Sequence, residues 1–180
     1  MKPIISPHIR IRCPDHFEVG EGSIVDDFSY FSTKLVVGRW SHIASGCTVA
    51  GGGDRTFRLG DYSSVSSGVR IWCTSDDFAN DLVTILPPEC PQVKQHLIVG
   101  DVVMGNFSAV GANSVIMPDN QVPDGTVIGA LSFVPPRFEF KPWSVYAGTP
   151  VRLVGARNEV SVRAQIDQVE EFLRSRRRQS

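Results

Sequence analysis

Residues 104–134 read MGNFSAVGANSVIMPDNQVPDGTVIGALSFV, and an apolar residue returns in this stretch at every sixth position. A glycine often follows that residue, and a serine or threonine often occupies the fifth position of the unit. The apolar series is Met104, Val110, Ile116, Val122, Ile128 and Val134. The same phase runs through Val19, Val25, Phe31, Val37, Ile43 and Val49, and resumes at Leu59, Val65 and Ile71.

This period of six predicts a solenoid of short strands. Each unit points one apolar side chain inward and then turns tightly, which glycine does at no steric cost. Three units close one triangular coil, and stacked coils bury a continuous apolar column. An ordinary β-sandwich is the alternative, but a sandwich does not hold one phase through six consecutive units. The predicted fold class is therefore an all-β solenoid, a left-handed parallel β-helix of hexapeptide repeats.

Interruptions of the phase predict the domain organisation. The repeat is lost between Ile71 and Ile98, which predicts a long excursion over residues 73–97, and long loops in compact folds are often functional. Residues 1–17 precede the repeat and are expected to cap the first coil. The β-helix domain is expected to occupy residues 18–157. From Asn158 the apolar period becomes helical, which predicts a C-terminal helix and basic tail over residues 158–180.

Composition excludes several classes of function. The formal net charge is -1, so no nucleic-acid partner is expected, and the arginines near the C terminus are interpreted as a solvated tail. No apolar run approaches the roughly 20 residues that span a bilayer. The first residues lack the apolar segment of a secretory signal. The four cysteines have no CxxC spacing, which argues against zinc and redox motifs. They fit reduced thiols in a cytoplasmic protein.

The stretch 96–134, followed by KPWSVYAGTPVRLVGAR, residues 141–157, resembles the C-terminal half of hexapeptide-repeat acetyltransferases. These include galactoside, maltose and xenobiotic acetyltransferases and the sugar acetyltransferases of bacterial surface-polysaccharide synthesis. The segment Tyr146–Pro150 with Arg152 is its most specific part. The resemblance implies transfer of an acetyl group from acetyl-coenzyme A to a sugar, expected to be an amino sugar or nucleotide-linked sugar for O-antigen or capsule synthesis.

The same resemblance implies a homotrimer whose active sites lie in clefts between subunits. Acetyl-coenzyme A would lie along the later coils, with its pantetheine arm held by backbone groups at two turns, which match Asn106 and Ala130. A basic residue after the last coils often meets the coenzyme phosphates, which implies Arg152. Pro135-Pro136 replaces the usual Thr-Lys pair, so Arg137 is expected to substitute. The planar donor fork of arginine suits phosphate.

The catalytic base is the point at which the chain departs from this family. Galactoside-type enzymes carry a histidine early in the long loop, where this chain has Asp76. His42 is the best remaining candidate, because it precedes inward-pointing Ile43 and alternation turns it outward. Asp76 and Asp77 would either orient His42 across a subunit interface or bind the acceptor, and loop capping is the structural alternative. Trp72 opens the loop and is a candidate to stack on a sugar.

Two other classes remain open at this stage. The same fold supports γ-type carbonic anhydrases, which need three histidines around zinc, and the chain has four scattered ones. A non-catalytic trimeric scaffold is the second alternative, disfavoured by the long acidic loop. The sequence leaves N- and O-acetylation both possible. No metal site is expected.

Overall fold

The computed structural model describes residues 1–82, 85–87, 89–90 and 92–177, which fold as a triangular solenoid of about seven coils. The chain passes repeatedly through three parallel sheets, called faces I, II and III, in the order III, I, II. The predicted left-handed β-helix is therefore confirmed. None of the described helices is long and apolar enough to cross a membrane.

Each face stacks one short strand per coil. Face I comprises β1 (Ile4–Ile5), β4 (Ile24–Val25), β7 (His42–Ile43), β10 (Ser64–Val65), β15 (Ala109–Val110), β18 (Val127–Ile128), β20 (Ser144–Gly148) and β21 (Val151–Ala156). Face II comprises β2 (Arg10–Ile11), β5 (Tyr30–Phe31), β8 (Thr48–Ala50), β11 (Arg70–Trp72), β16 (Val115–Ile116) and β19 (Phe133–Val134). Face III comprises β3 (Phe17–Val19), β6 (Lys34–Val37), β9 (Thr56–Leu59), β14 (Val102–Met104) and β17 (Asn120–Val122).

The core is the column of sixth-position side chains predicted from the repeat. Ile43, Val65, Val110 and Ile128 on face I are all fully buried, and each stacks on the equivalent residue of the next coil. Residues on either side of them face outward. A side chain one position away from the repeat is therefore on the surface of a flat sheet.

Buried serines join successive coils at the corner between faces III and I. The backbone amide of Ser63 donates to Ser41 Oγ at 3.0 Å, and the amide of Ser108 donates to Ser63 Oγ at 3.0 Å. Ser63 Oγ in turn donates to the carbonyl of Gly105 at 2.9 Å. The small fifth position of the repeat is thus also a polar link, since its hydroxyl satisfies an amide that the turn buries.

Both ends of the solenoid depart from the simple repeat. Residues before Phe17 contribute β1 and β2, which pair in parallel with β4 and β5 and extend faces I and II by one further coil. Pro14–His16 form a short 3-10 helix before β3. At the other end β20 and β21 form an antiparallel hairpin over the last coil.

The long excursion begins as a ribbon. β12 (Thr74–Asp76) pairs antiparallel with β13 (Leu97–Val99), so the chain leaves and re-enters the coil side by side. Ile98 therefore belongs to the ribbon and not to the solenoid.

The predicted C-terminal helix is confirmed as α1 (Glu159–Arg177), whose N terminus is capped by Asn158 Oδ1, which accepts from the Ser161 amide at 3.0 Å. The helix lies along the corner between faces III and I. Glu170 accepts from Tyr62 Oη at 2.6 Å and pairs with Arg39 at 2.6 Å, while Arg163 stacks over Trp143. The face of α1 that packs on the solenoid therefore includes the charged residue Glu170, because Tyr62 and Arg39 lie opposite it.

We expect the serine links to contribute measurably to stability. Ser63→Ala leaves the buried amide of Ser108 without its acceptor, which should lower the free energy of unfolding by roughly 1–3 kcal/mol. Ser67→Ala, at an exposed corner position, is the matched control and should change it by less than about 0.5 kcal/mol. Denaturant unfolding of both variants tests this, and equal midpoints would contradict it.

Candidate active site

Backbone amides at equivalent turn positions have different hydrogen-bond partners at two corners of the triangular solenoid. At the corner between faces III and I, the second turn residue is Arg39, Asp61, Asn106 or Asp124 in successive coils. The Arg39 amide donates to Asp61 Oδ1 at 2.9 Å, that of Asp61 to Asn106 Oδ1 at 2.8 Å, and that of Asn106 to Asp124 Oδ1 at 2.8 Å. Each side chain satisfies the amide of the coil before it, so this corner is closed.

At the corner between faces I and II, Asp27 occupies the equivalent position after β4 and accepts from Ser6 Oγ, but no aspartate or asparagine occupies this position in the coils above. There the second turn residues are Ser45, Ser67, Ala112 and Ala130, and no described residue accepts a hydrogen bond from their amides. The turns lie directly over one another, since a Cβ at Gly111 would collide with the backbone of Ala130. We call these four residues the open amide column. It offers a line of outward donors at intervals of about 4.8 Å, the spacing of neighbouring strands.

The structure separates the two residues expected to hold the pantetheine arm. Ala130 belongs to the open amide column, whereas Asn106 lies at the closed corner with its amide and side chain both bonded. The two are 24 positions apart, which is four units, and only multiples of three units return to one corner. The residue one coil below Ala130 is Ala112. A count of 18 residues back from Ala130 would have found it in the sequence.

Arg152 lies at the upper end of the same corner. It stands opposite Ala147 in the β20–β21 hairpin, and Ala147 covers Gly129. The hairpin tip is fixed over this corner, because Thr149 Oγ1 donates to the Leu131 carbonyl at 3.2 Å. Arg152 is exposed. The open amide column and Arg152 therefore line one continuous edge.

Arg137 lies elsewhere. It follows face II at the third corner, with its Nε 2.8 Å from Asp119 Oδ2, and it has a positive φ of 57°. It is therefore not beside Ala130 or Arg152 in the described structure. Arg137 therefore does not belong, within one subunit, to the edge formed by the open amide column and Arg152.

His42 faces outward from face I as the alternation predicts, and a carboxylate holds it. Its Nε2 is 2.8 Å from Asp26 Oδ2, and both side chains are a little under half exposed. Asp26 follows β4, whose Ile24 pairs with His42, so the two side chains meet diagonally across neighbouring coils. Ser64 occupies the adjacent position on the next coil. Sequence reasoning missed Asp26, although it lies only two residues after Ile24, which pairs with His42.

The predicted acids of the loop have different environments. Asp76 lines a cavity of about 280 Å³ whose walls also include Trp72, Phe78 and Met117. Asp77 instead accepts from the Asn80 side chain at 2.6 Å and the Ala79 amide at 3.0 Å. These bonds, that of Asn80 foremost, lower the pKa of Asp77. Asp77 thus serves the loop turn, which was the structural alternative, while Asp76 faces an open space.

Neither loop acid meets His42 within one chain. His42 lies on face I, and Asp76 lies on the ribbon that leaves face II. The group that orients His42 in the described structure is Asp26. A second acid–histidine pair lies in the loop itself, where His96 Nδ1 is 3.0 Å from Asp81 Oδ1. No group of three or more potential metal ligands occurs among the described residues.

Known proteins resemble this chain over most of its length, although no family profile matches it. It is 26% identical over 148 residues to dTDP-4-amino-4,6-dideoxy-D-glucose acyltransferase of Escherichia coli, covering 81% of this chain and 74% of that protein. It is 29% identical over 164 residues to chloramphenicol acetyltransferase of Agrobacterium fabrum, covering 79% and 77%.

A solved structure agrees with these relatives. AntD, an N-acyltransferase from Bacillus cereus solved in complex with dTDP and 3-hydroxybutyryl-CoA, superposes with a TM-score of 0.81. Its sequence is 28% identical, over 98% of this chain and 89% of AntD. The predicted enzyme class is confirmed: the chain has the β-helix fold of these proteins and is an acyltransferase that uses an acyl-coenzyme A cosubstrate. Within that class it resembles enzymes that acylate amino sugars.

The loop pair gives a test of this geometry. The Asp81 hydrogen bond, followed by its negative charge, raises the pKa of His96 above its ordinary value. The folded pKa is the higher one, so this contact favours the ordered loop at low pH and loses its effect as pH rises through that pKa. Asp81→Asn should lower the pKa of His96 in an NMR titration. Asp26→Asn is the control and should leave the pKa of His96 unchanged. An unchanged His96 pKa in Asp81→Asn would contradict the pairing of His96 with Asp81.

Proposed function

We propose that this enzyme transfers an acetyl group from acetyl-coenzyme A to the amine of a nucleotide-linked amino sugar. The observation that carries the proposal is the open amide column, which ends near an outward His42–Asp26 pair. The nature of the acceptor is supported by the relatives, one named for a dTDP-amino sugar and another bound to dTDP. The product would be an N-acetylated sugar nucleotide for surface-polysaccharide synthesis.

The coenzyme is proposed to lie along the corner between faces I and II. Amides of Ala112 and Ala130 would donate to the two amide carbonyls of the pantetheine arm, at positions where no protein acceptor competes. Arg152, at the upper end, would meet the phosphates, because guanidinium binds phosphate with a fork of donors. The thioester would then point down the column, towards Ser67, Ser45 and His42. Asn106 and Arg137 have no place in this arrangement within one subunit.

The acceptor is proposed to enter from the cavity of Trp72 and Asp76. An indole face packs on the apolar face of a sugar ring, and a carboxylate pairs with its ammonium. AntD has been solved with a serine replaced and with an aspartate ten positions later replaced. Ser66 and Asp76 have the same separation here, and so do Ser67 and Asp77, so the spacing points to this pair of acids without choosing between them. The cavity favours Asp76 as the acid that contacts the acceptor, because Asp76 lines it while Asp77 is bonded to Asn80 and Ala79.

His42 is proposed as the general base. The ammonium of the acceptor must lose a proton before its nitrogen can attack the thioester carbonyl. The C–N bond forms, the C–S bond breaks, and the thiolate of coenzyme A leaves, taking up a proton. Asp26 holds Nε2 of His42, so the imidazole is oriented with its other ring nitrogen left to take the proton. An amide of the open column would donate to the carbonyl oxygen as negative charge develops there.

A homotrimer is part of the proposal, because His42 and the Asp76 cavity lie on different faces of one chain. A neighbouring copy would bring its loop to the corner between faces I and II, so that one site would use two subunits. We further propose that the enzyme works in the cytoplasm, in keeping with four free cysteines.

O-acetylation of a sugar hydroxyl is the second candidate. It is favoured by the outward His42–Asp26 pair, since a hydroxyl needs more help from a base than an amine does. Replacing the amine of the acceptor by a hydroxyl separates the two, because the N-transferase would lose activity with the hydroxyl analogue. A scaffold would bind no acetyl-coenzyme A, and a carbonic anhydrase would hydrate CO2 in the presence of zinc.

Coenzyme placement is tested by a pair of arginines. Arg152→Ala should raise the dissociation constant of acetyl-coenzyme A about 10- to 100-fold, as loss of a charged hydrogen bond predicts. Arg137→Ala, which removes an exposed arginine at another corner, should leave it within about two-fold. Isothermal calorimetry measures both constants. If Arg137→Ala lowered the affinity for acetyl-coenzyme A more than Arg152→Ala did, the phosphates would bind near Arg137 and the proposed placement would be wrong.

Proton removal is tested by the histidines. His42→Asn should lower kcat roughly 10²- to 10⁴-fold while coenzyme affinity stays unchanged, because only the base is removed. The deficit should shrink as pH rises and more of the amine is already neutral. His96→Asn is the matched control and should retain kcat. If His96→Asn instead shows the large, pH-dependent loss, the base is the loop histidine and the assignment of His42 is wrong.

A further inference from the structure

The outer surface of face II carries positive charge and aromatic rings without an opposing acid. None of its described strands contains an aspartate or glutamate. Arg10, Tyr30, Thr48 and Arg70 pair in register on successive coils, and they form one outward column. Their direction is fixed because the residues that follow Tyr30, Thr48 and Arg70 are fully buried. This set is called the face II column.

Arg70 is the fixed member of the column. Its Nη1 donates to the carbonyls of Gly46 at 2.8 Å and Gly68 at 2.7 Å, so the guanidinium is held against the corner. Because carbonyl oxygens are uncharged, these bonds orient the guanidinium of Arg70 without neutralising its positive charge. No carboxylate among the described residues pairs with Arg70, and the arginine ion pairs of that part of the chain involve other residues. The result is a half-buried, pre-oriented cation.

The column adjoins the proposed acceptor cavity directly. Arg70 and Trp72 are two residues apart on β11 with buried Ile71 between them, so both side chains leave the same side of the sheet about 7 Å apart. Trp72 lines the cavity that contains Asp76. A sugar packed on Trp72 would therefore have the group at its anomeric carbon beside Arg70.

At the far end the charge is exposed. Arg10 lies three strands from Arg70, about 14 Å at the usual strand spacing, and Arg12 follows it on the surface. Neither makes an ion pair with a described residue. Tyr30 and Thr48, both half-buried, lie between the two ends. A ligand that spans the column would need anionic groups and a ring that stacks on an aromatic side chain.

We infer that the face II column binds the nucleoside diphosphate of the acceptor. The inference rests on the proposed function and adds the residues that would recognise this part of the substrate. The sugar would occupy the Trp72 cavity, the diphosphate would lie between Arg70 and the Arg10–Arg12 end, and the nucleoside would lie over Tyr30. The coenzyme also carries a diphosphate, but its phosphates are proposed to meet Arg152 at the upper end of the open amide column, whereas Arg70 is held lower on that corner by the carbonyls of Gly46 and Gly68.

Binding of dTDP to the full-length protein tests the inference. Arg10→Ala with Arg12→Ala should raise the dissociation constant of dTDP about 5- to 20-fold, a loss reduced from that of a buried charged hydrogen bond because both groups are exposed. The affinity of the double variant should also depend less on salt. Arg58→Ala removes an exposed strand arginine from face III and is the matched control; it should bind dTDP as the wild type does.

Coenzyme binding separates the two possible sources of the diphosphate. The Arg10 and Arg12 double variant should bind acetyl-coenzyme A normally, and Arg152→Ala should bind dTDP normally. A loss of coenzyme affinity in the double variant would assign the column to the coenzyme and overturn the inference. Wild-type protein that does not bind dTDP, or a double variant that binds it unchanged, would also overturn it.

The proposed function has its own readout. If wild-type enzyme acetylates a dTDP-linked amino sugar while the double variant keeps the same KM, only the face II column is wrong. If the wild type transfers acetyl groups to free amino sugars and ignores the nucleotide-linked form, the proposed acceptor fails as well. Arg70→Lys keeps the charge and loses the carbonyl-bound fork, so it should raise KM for the nucleotide sugar with little change in kcat.

Discussion

The hydrogen bond between successive coils is the interaction on which the rest of this structure depends. A solenoid has no distant contacts to rely on, so each coil must satisfy the backbone of the one below. Along the flat faces the strands do this for one another. At the corners no strand is present, and the chain uses a buried hydroxyl or a carboxamide instead. Where neither is provided, the amide faces the solvent and becomes available to a ligand.

The two corners of this enzyme differ in the residue at the second turn position. An aspartate or asparagine at the second turn position closes the edge beneath α1, and an alanine at the equivalent position of the next corner opens it. The two corners are built from the same backbone. The difference is a few side-chain atoms, but it decides which edge lies under the helix of the same chain and which keeps amides that no described residue accepts from.

Much of the fold follows from the sequence, because its signal is periodic and local. The six-residue phase from Val19 to Val49 is sufficient for the strands, the core and the corners. The site was harder to predict because its parts come together through the count of units per coil. Ala130 of the open amide column was named from the sequence and Ala112 was not, because Ala130 was matched with Asn106, which lies four units away rather than three. Asp26 was missed because its contact with His42 crosses neighbouring coils diagonally.

The helix α1 has a consequence for how the molecule unfolds. Stacked coils behave as a one-dimensional array in which the ends fray first, since a terminal coil has a single neighbour. Arg163 contacts Trp143 beside the last coil, and Arg177 pairs with Glu21 at 2.9 Å beside the first. The helix therefore joins the two ends of the array. Fraying at either end of the solenoid therefore breaks a contact with this same helix, which couples the loss of the first coil to that of the last.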